Sequence, residues 1–355
     1  MKSEQLGILN IAFLYVGTIM GAGFASGREI WQFFGVFGKM GYIGVGLIGI
    51  LFVLIGMMTG KIARRLSTNG MGAVIVPSDN KVLTGFVGYF MAFMLFTVLV
   101  TMSAAGGALF NQQFGASRIL GGVVITSLVI LTVIGGFGRV SRVFAAIMPI
   151  LVAVVFLVSL LVMFSDLPVE NGQTVIEPSP LAPNWPIAAL LYISYNVLAI
   201  IPVVSTAAIH AKSERHAMLG VSLGGLFLGL LAFLLVSAML TEPNFSQSMD
   251  MPLLGFSSYL PKVFNVIYTG VLIFAIYASA TSNYYGFTIM VKEGSKKKML
   301  VFAIAWLGFL FGLIGFTNVV AYMFPIEGYL GFCIIVMLAI NFVKTGRKQN
   351  GNEEH

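Results

Sequence analysis

Apolar stretches dominate the chain, and short polar segments separate them at regular intervals. A helix needs about 20 mostly apolar residues to cross a bilayer. Ten runs approach or exceed that length: Leu6–Phe37, Met40–Gly60, Val82–Phe110, Ile119–Phe137, Val143–Phe164, Trp185–Ile209, Met218–Leu240, Pro261–Val291, Met299–Phe316 and Val319–Val343. Between them lie a basic connector (Lys61–Lys81), an acidic, proline-rich one (Ser165–Pro183), and Thr241–Leu260, which has room for a short surface or re-entrant helix. A polar tail follows residue 345. The pattern predicts an all-α integral membrane protein of ten transmembrane helices, forming one domain over residues 1–345 with a tail at 346–355.

The runs fall into two sets of five, about 6–164 and 185–343. The third and eighth are both long, and the first and sixth are both interrupted. Because five is odd, the second set must cross the membrane inverted relative to the first. The expectation is a 5+5 inverted repeat with helices 1 and 6 discontinuous. Hydropathy alone could produce the same coincidences, since the halves share no visible residue-level similarity.

Composition sharpens this picture. The chain is 58% hydrophobic and 9% charged, with a mean hydropathy of +0.96, which excludes an ordinary soluble globule. Cys333 is the single cysteine, and the histidines are His210, His216 and His355, so neither a disulfide framework nor a Cys- or His-rich metal site is expected. The net charge of +7 calls for no nucleic acid, because it follows topology. Lys2, Lys61, Arg64, Arg65, Lys81, Arg139, Arg142, Lys212, Arg215, Lys292, Lys296 to Lys298, Lys344, Arg347 and Lys348 fall on one side of a ten-span arrangement. Only Lys39, Arg118 and Lys262 fall on the other. That bias places both termini in the cytoplasm of a cell membrane. Lys2, Ile8–Met20 and the small residues near Ala22–Ser26 mimic a cleaved leader, but the topology needs this segment as a span.

The first run contains GTIMGAGFASGRE, Gly17–Glu29, with glycines at 17, 21, 23 and 27. Each glycine weakens a helix by about 1 kcal/mol relative to alanine. Unwound backbone inside a bilayer persists only where protein buries it or it lines a wet cavity. Close packing against neighbouring helices is the commoner use of such spacing. The density of Gly21-Ala22-Gly23, followed by the polar Ser26-Gly27-Arg28-Glu29, favours a binding break whose amides face a carboxylate.

The sixth run holds Tyr192, Tyr195, Asn196 and Pro202. The proline frees a carbonyl one turn earlier, suited to an ammonium or Na⁺; a proline kink in a packed helix is the alternative. In the eighth run Ala278, Thr281 and Ser282 share a helical face and form half of a Na⁺ cage. Hydroxyls bonded back to their own helix are the competing reading. Only Arg28, Glu29 and Glu327 are charged residues well inside runs, and Arg28 with Glu327 could form either a gate or a static bridge. No nucleophile–His–acid set and no GxxxxGK[ST] loop is present, so no enzyme is expected.

With the glycine-rich first run, the eighth-run motif and ten spans in hand, the sequence resembles the amino acid–polyamine–organocation superfamily with the LeuT-type fold. Within it, GTIMGAGFASGREI is most similar to the YkvI-like amino acid permeases. The resemblance implies a secondary active transporter of a small neutral amino acid or related zwitterion, working by alternating access. Residues Gly21, Ala22, Gly23, Ser26, Tyr192, Tyr195 and Asn196 would hold the substrate. Carbonyls of Gly17 and Met20, with Ala278, Thr281 and Ser282, would ligate a coupling Na⁺, and Arg28 and Glu327 would gate. The fifth run has no lysine, which favours sodium over proton coupling within this resemblance. No cofactor is implied beyond the ion, and a nutrient sensor on the same scaffold is the alternative. The substrate's identity and the oligomeric state are not legible.

Overall fold

The computed structural model describes residues 5–68, 70–77, 80–135, 140–168, 174–291 and 294–353. Lys2, Arg139 and Lys292, which entered the charge reading, lie outside the described residues. The first run becomes α1 (Ile8–Ile19), α2 (Ala22–Ala25) and α3 (Arg28–Phe33). After it come α4 (Lys39–Leu66), a short α5 (Met71–Ile75), α6 (Lys81–Phe114), α7 (Arg118–Gly135) and α8 (Val140–Phe164). Then follow α9 (Trp185–Ile209), α10 (Glu214–Met239), the short α11 (Pro243–Ser248) and α12 (Pro252–Ser257), and α13 (Lys262–Met290). Last are α14 (Lys297–Gly312), α15 (Phe316–Asn318), a π-turn over Val319–Met323 and α16 (Phe324–Glu353).

Six of these are long and apolar enough to span a membrane: α4, α6, α9, α10, α13 and the run Phe316–Arg347. The apolar helices Ile8–Ile19, Arg118–Ile134 and Met148–Phe164 are shorter. Large apolar side chains cover the outside, among them Leu9, Ile50, Leu131, Leu226 and Leu310, as a lipid-facing surface requires. Helix starts follow local chemistry. The side chain of Asn80 accepts from the Val82 amide at 2.9 Å, Asn184 from Ile187 at 3.1 Å, and Ser213 from His216 at 3.2 Å.

Lipid offers no hydrophobic drive to helix pairing, so close approach of small residues does that work. A Cβ on Gly229 of α10 would stand 3.0 Å from the Cα of Gly49 in α4. One on Gly328 of α16 would stand 2.7 Å from the Leu191 carbonyl of α9. These contacts clamp α4, α9, α10 and α16 around the broken first run.

The sixth run departs from expectation. Helix α9 continues without interruption through Pro202. A proline withdraws one amide and leaves one carbonyl, that of Leu198, without its usual donor. Nothing else in α9 weakens it, because the run contains no glycine. Two side chains bond back to its carbonyls, Ser194 Oγ to Leu190 at 2.6 Å and Thr206 Oγ1 to Pro202 at 2.8 Å, contacts that bend a helix without opening it. One lost bond bends a helix; opening it takes several.

Candidate functional site

The first run does come apart. Met20 has φ −72° and ψ 66°, and the Gly21 amide turns back to the Ile19 carbonyl at 2.7 Å, an inverse γ-turn. Among the described residues, this leaves the carbonyls of Gly17 and Thr18 and the amides of Ala22, Gly23 and Phe24 without backbone partners. The short α2 ends at Gly27, whose φ of +81° lies in the left-handed region open to glycine. Freed carbonyls beyond the break find partners in other elements: Tyr268 Oη donates to Ala25 at 2.6 Å and the Leu253 amide to Ser26 at 3.0 Å. The Ser26 hydroxyl, expected to meet substrate, donates instead to the Gly23 carbonyl at 3.0 Å.

The turn at Gly27 folds α3 back over α2, bringing Glu29 onto Gly23. A Cβ at Gly23 would overlap the Glu29 carboxyl, with even Cγ only 2.8 Å away, so only glycine leaves room. Tyr195 Oη donates to Glu29 Oε2 at 2.5 Å. Tyr192 and Tyr195 meet edge to face with centroids 5.3 Å apart. Phe33 packs on Tyr192 at 5.3 Å, and Phe324 stacks on Tyr195 at 4.9 Å. The buried Tyr192 hydroxyl lies beside Glu29 and Tyr195. The Asn196 side-chain nitrogen donates to the Tyr192 carbonyl at 2.9 Å, within its own helix. Sequence reasoning placed both tyrosines here but missed Glu29, Phe33 and Phe324. Glu29 was legible only as a rare charge inside a span.

Ala278 and Thr281 are buried on α13, whereas Ser282 is exposed. Helix α13 lies beside the break, and a Cβ on Gly21 would stand 3.8 Å from Ser279 Oγ. Most span hydroxyls bond back to their own helix, as Thr97, Thr101, Ser159 and Thr269 do. Thr281 Oγ1 does not; it is buried without a partner among the described residues. Gly17 faces Met148 of α8, 3.5 Å from where its Cβ would be, and Met20 is fully buried.

Arg28 and Glu327 are not brought together. Arg28 is 1% exposed and donates to the carbonyls of Met249 at 3.1 Å and Gln247 at 3.4 Å, and to Gln32 Oε1 at 3.0 Å. Adjacent helical residues point about 100° apart, so Arg28 reaches the α11–α12 connection while Glu29 turns inward. That connection is held elsewhere too. Asp250 pairs with Arg118 at 2.8 Å and accepts from Thr317 at 2.7 Å, and Gln112 bonds Met251 through both amide atoms. Glu327, in the first turn of α16, is buried beside Thr97 and within electrostatic reach of Glu29. Its Oε1 has no partner among the described residues.

No family model matches the chain. It is 26% identical over 344 residues to the uncharacterised membrane protein YkvI of Bacillus subtilis (strain 168), covering 94% of this chain and 96% of that one. It is 24% identical over 334 residues to the uncharacterised protein YyaD of the same organism, covering 92% and 94%. Among solved structures it is similar to the inward-facing conformation of Mhp1, with a TM-score of 0.59 and 11% identity over 92% of this chain and 74% of that one. A mutant form of the Eremococcus coleocola manganese transporter gives 0.53 and 12% over 95% and 78%. The resemblance to the YkvI-like group is borne out over nearly the whole chain. The chain is an all-helical, multi-pass membrane protein sharing the LeuT-type fold of these structures.

Proposed function

We propose that this chain is a secondary active transporter of a small neutral amino acid or related zwitterion, coupled to Na⁺ and working by alternating access. In this reading the ten runs form a 5+5 inverted repeat in the cell membrane, both termini are cytoplasmic, and the α11–α12 connection closes the outer side. One observation carries it. The first run breaks in mid-span and leaves free peptide groups among buried, partly unpartnered polar side chains. A packed structural helix has no use for such a break, whereas a solute site near the midplane does.

The uncommitted amides of Ala22 and Gly23 suit a carboxylate. The unpartnered Thr281 hydroxyl and the Gly17 and Met20 carbonyls suit Na⁺, with Ala278 beside them on α13; the exposed Ser282 fits this set less well. Fold neighbours that move solutes agree with this reading. Manganese, the cargo of one of them, is a poorer fit: among the described residues no three of His, Cys, Asp and Glu come together. The test is uptake of radiolabelled amino acids into proteoliposomes with and without an inward Na⁺ gradient. Gradient-dependent uptake that Thr281→Ala abolishes is expected. Binding without counterflow would instead favour a nutrient sensor.

A further inference from the structure

Glu29 poses a question that transport alone does not answer. A carboxyl inside a span is costly unless paired or hydrogen-bonded. Tyr195 supplies one hydrogen bond, but Arg28 next in sequence is committed to the carbonyls of Gln247 and Met249. The Arg118–Asp250 ion pair lies elsewhere. A second carboxyl, Glu327, lies within electrostatic reach with Oε1 unpartnered, and the Tyr192 hydroxyl lies beside Glu29. Among the described residues, the protein therefore gathers two carboxyls and two phenols at one buried place, and neither carboxyl is ion-paired.

The walls identify the missing partner. Tyr195 and Tyr192 reach the carboxyl, and Phe33 and Phe324 pack on these two rings, neighbouring centroids lying 4.9 to 6.0 Å apart. Aromatic faces beside a carboxylate are the chemistry that recognises organic ammonium groups. A hard metal ion would demand six or so oxygen donors instead. The main-chain groups expected to hold an amine are occupied: the α9 carbonyls stay in an unbroken ladder except near Pro202.

We propose that Glu29 is the counter-ion of an ammonium group on the transported solute. Tyr195 positions the carboxyl and the four rings form the cage. This rests on the transport reading and assigns the amine end of the substrate to a side chain rather than to main-chain carbonyls. The site's ligand class is a small organic ammonium solute.

The experiment uses the purified full-length protein in detergent, with binding followed by calorimetry and uptake followed in proteoliposomes. The probes are alanine, alaninamide and choline, with N-acetylalanine as the analogue lacking the positive charge. At least one ammonium probe binds the wild type and N-acetylalanine does not. Glu29→Gln weakens that binding by at least about 30-fold, the consequence of deleting one partner of a buried charge contact. Glu29→Asp, which keeps the charge, recovers part of it. Should Glu29→Gln not fold, Phe324→Leu replaces it and lowers choline or alaninamide affinity about 5-fold by removing one wall.

Three results overturn the proposal while leaving transport standing. These are ammonium binding unchanged in Glu29→Gln or Phe324→Leu, equal binding of N-acetylalanine, and a Glu29→Gln effect confined to the pH dependence of uptake. A wild type that neither binds nor takes up any probe or amino acid removes the transport reading together with this one.

Discussion

The hydroxyl of Thr281 separates an ion site from a packed helix by the sign of a stability change. It is fully buried and unpartnered among the described residues. A buried hydroxyl left without a hydrogen bond costs about 1–3 kcal/mol. Thr281→Val keeps the shape and removes the oxygen. In K⁺ buffer the variant is therefore expected to gain about 1 kcal/mol, which for a chain of this size raises the unfolding midpoint by about 1–2 °C. In Na⁺ the order reverses. A ligand present at 100 times its dissociation constant stabilises the wild type by about 2.7 kcal/mol, and the variant lacks a donor of that site. The assay is thermal unfolding of purified protein by intrinsic fluorescence, in NaCl and KCl at matched ionic strength. The ion site is refuted if Thr281→Val is less stable than wild type in K⁺, because the hydroxyl then has a structural partner. A sodium response that survives the substitution refutes it equally.

Other substitutions test the remaining contacts. Gly23→Ala drives a Cβ into the Glu29 carboxyl and is expected to destabilise by about 1–3 kcal/mol, the usual cost of overpacking. That cost should largely vanish in a Glu29→Ala background, a non-additivity read from the double-mutant cycle in thermal unfolding. Pro202→Ala returns an amide donor to an already continuous α9, so stability should rise, by up to about 3 kcal/mol on intrinsic helix preference; a fall in the unfolding midpoint would show that the packing around α9 depends on the proline. Asp250→Asn breaks the ion pair to Arg118, a side chain 55% exposed, so global stability should drop by less than about 1 kcal/mol. Amide exchange across 243–257 should quicken all the same, and unchanged exchange would dismiss the clasp.

Much of the architecture was readable from hydropathy. The six long helices coincide with predicted runs, α6 and α13 are as long as the third and eighth runs suggested, and Thr241–Leu260 carries two short helices. The break near Gly21 was legible because glycine density acts locally. What escaped depends on direction in space. Pro202 looked like the matching half of the first break, but one missing amide does not open a helix that contains no glycine. Arg28 and Glu327 have opposite charges and suitable depth, yet the turn at Gly27 sends Arg28 to the carbonyls of Gln247 and Met249. No periodicity announces that Glu29 lands on Gly23, since they sit on different short helices whose angle is set by one positive φ.

That asymmetry changes the character of the site. Two facing broken helices would offer a solute balanced peptide dipoles, amides from one and carbonyls from the other, with no net charge. Here one helix opens and the other stays closed, so α9 contributes phenol rings and one hydroxyl bond rather than main chain. The side-chain acceptors at this centre are then the carboxyls of Glu29 and Glu327, and an ionised carboxyl would carry a full charge where a dipole carries a fraction. A full charge in a low-dielectric interior discriminates more sharply, because an occupant of the wrong sign leaves it unpaired. Selectivity at this centre should therefore follow the charge of the solute more steeply than its size. A series of uncharged and ammonium-bearing isosteres measures that steepness directly; affinities tracking side-chain volume at constant slope across both sets would show that Glu29 is structural.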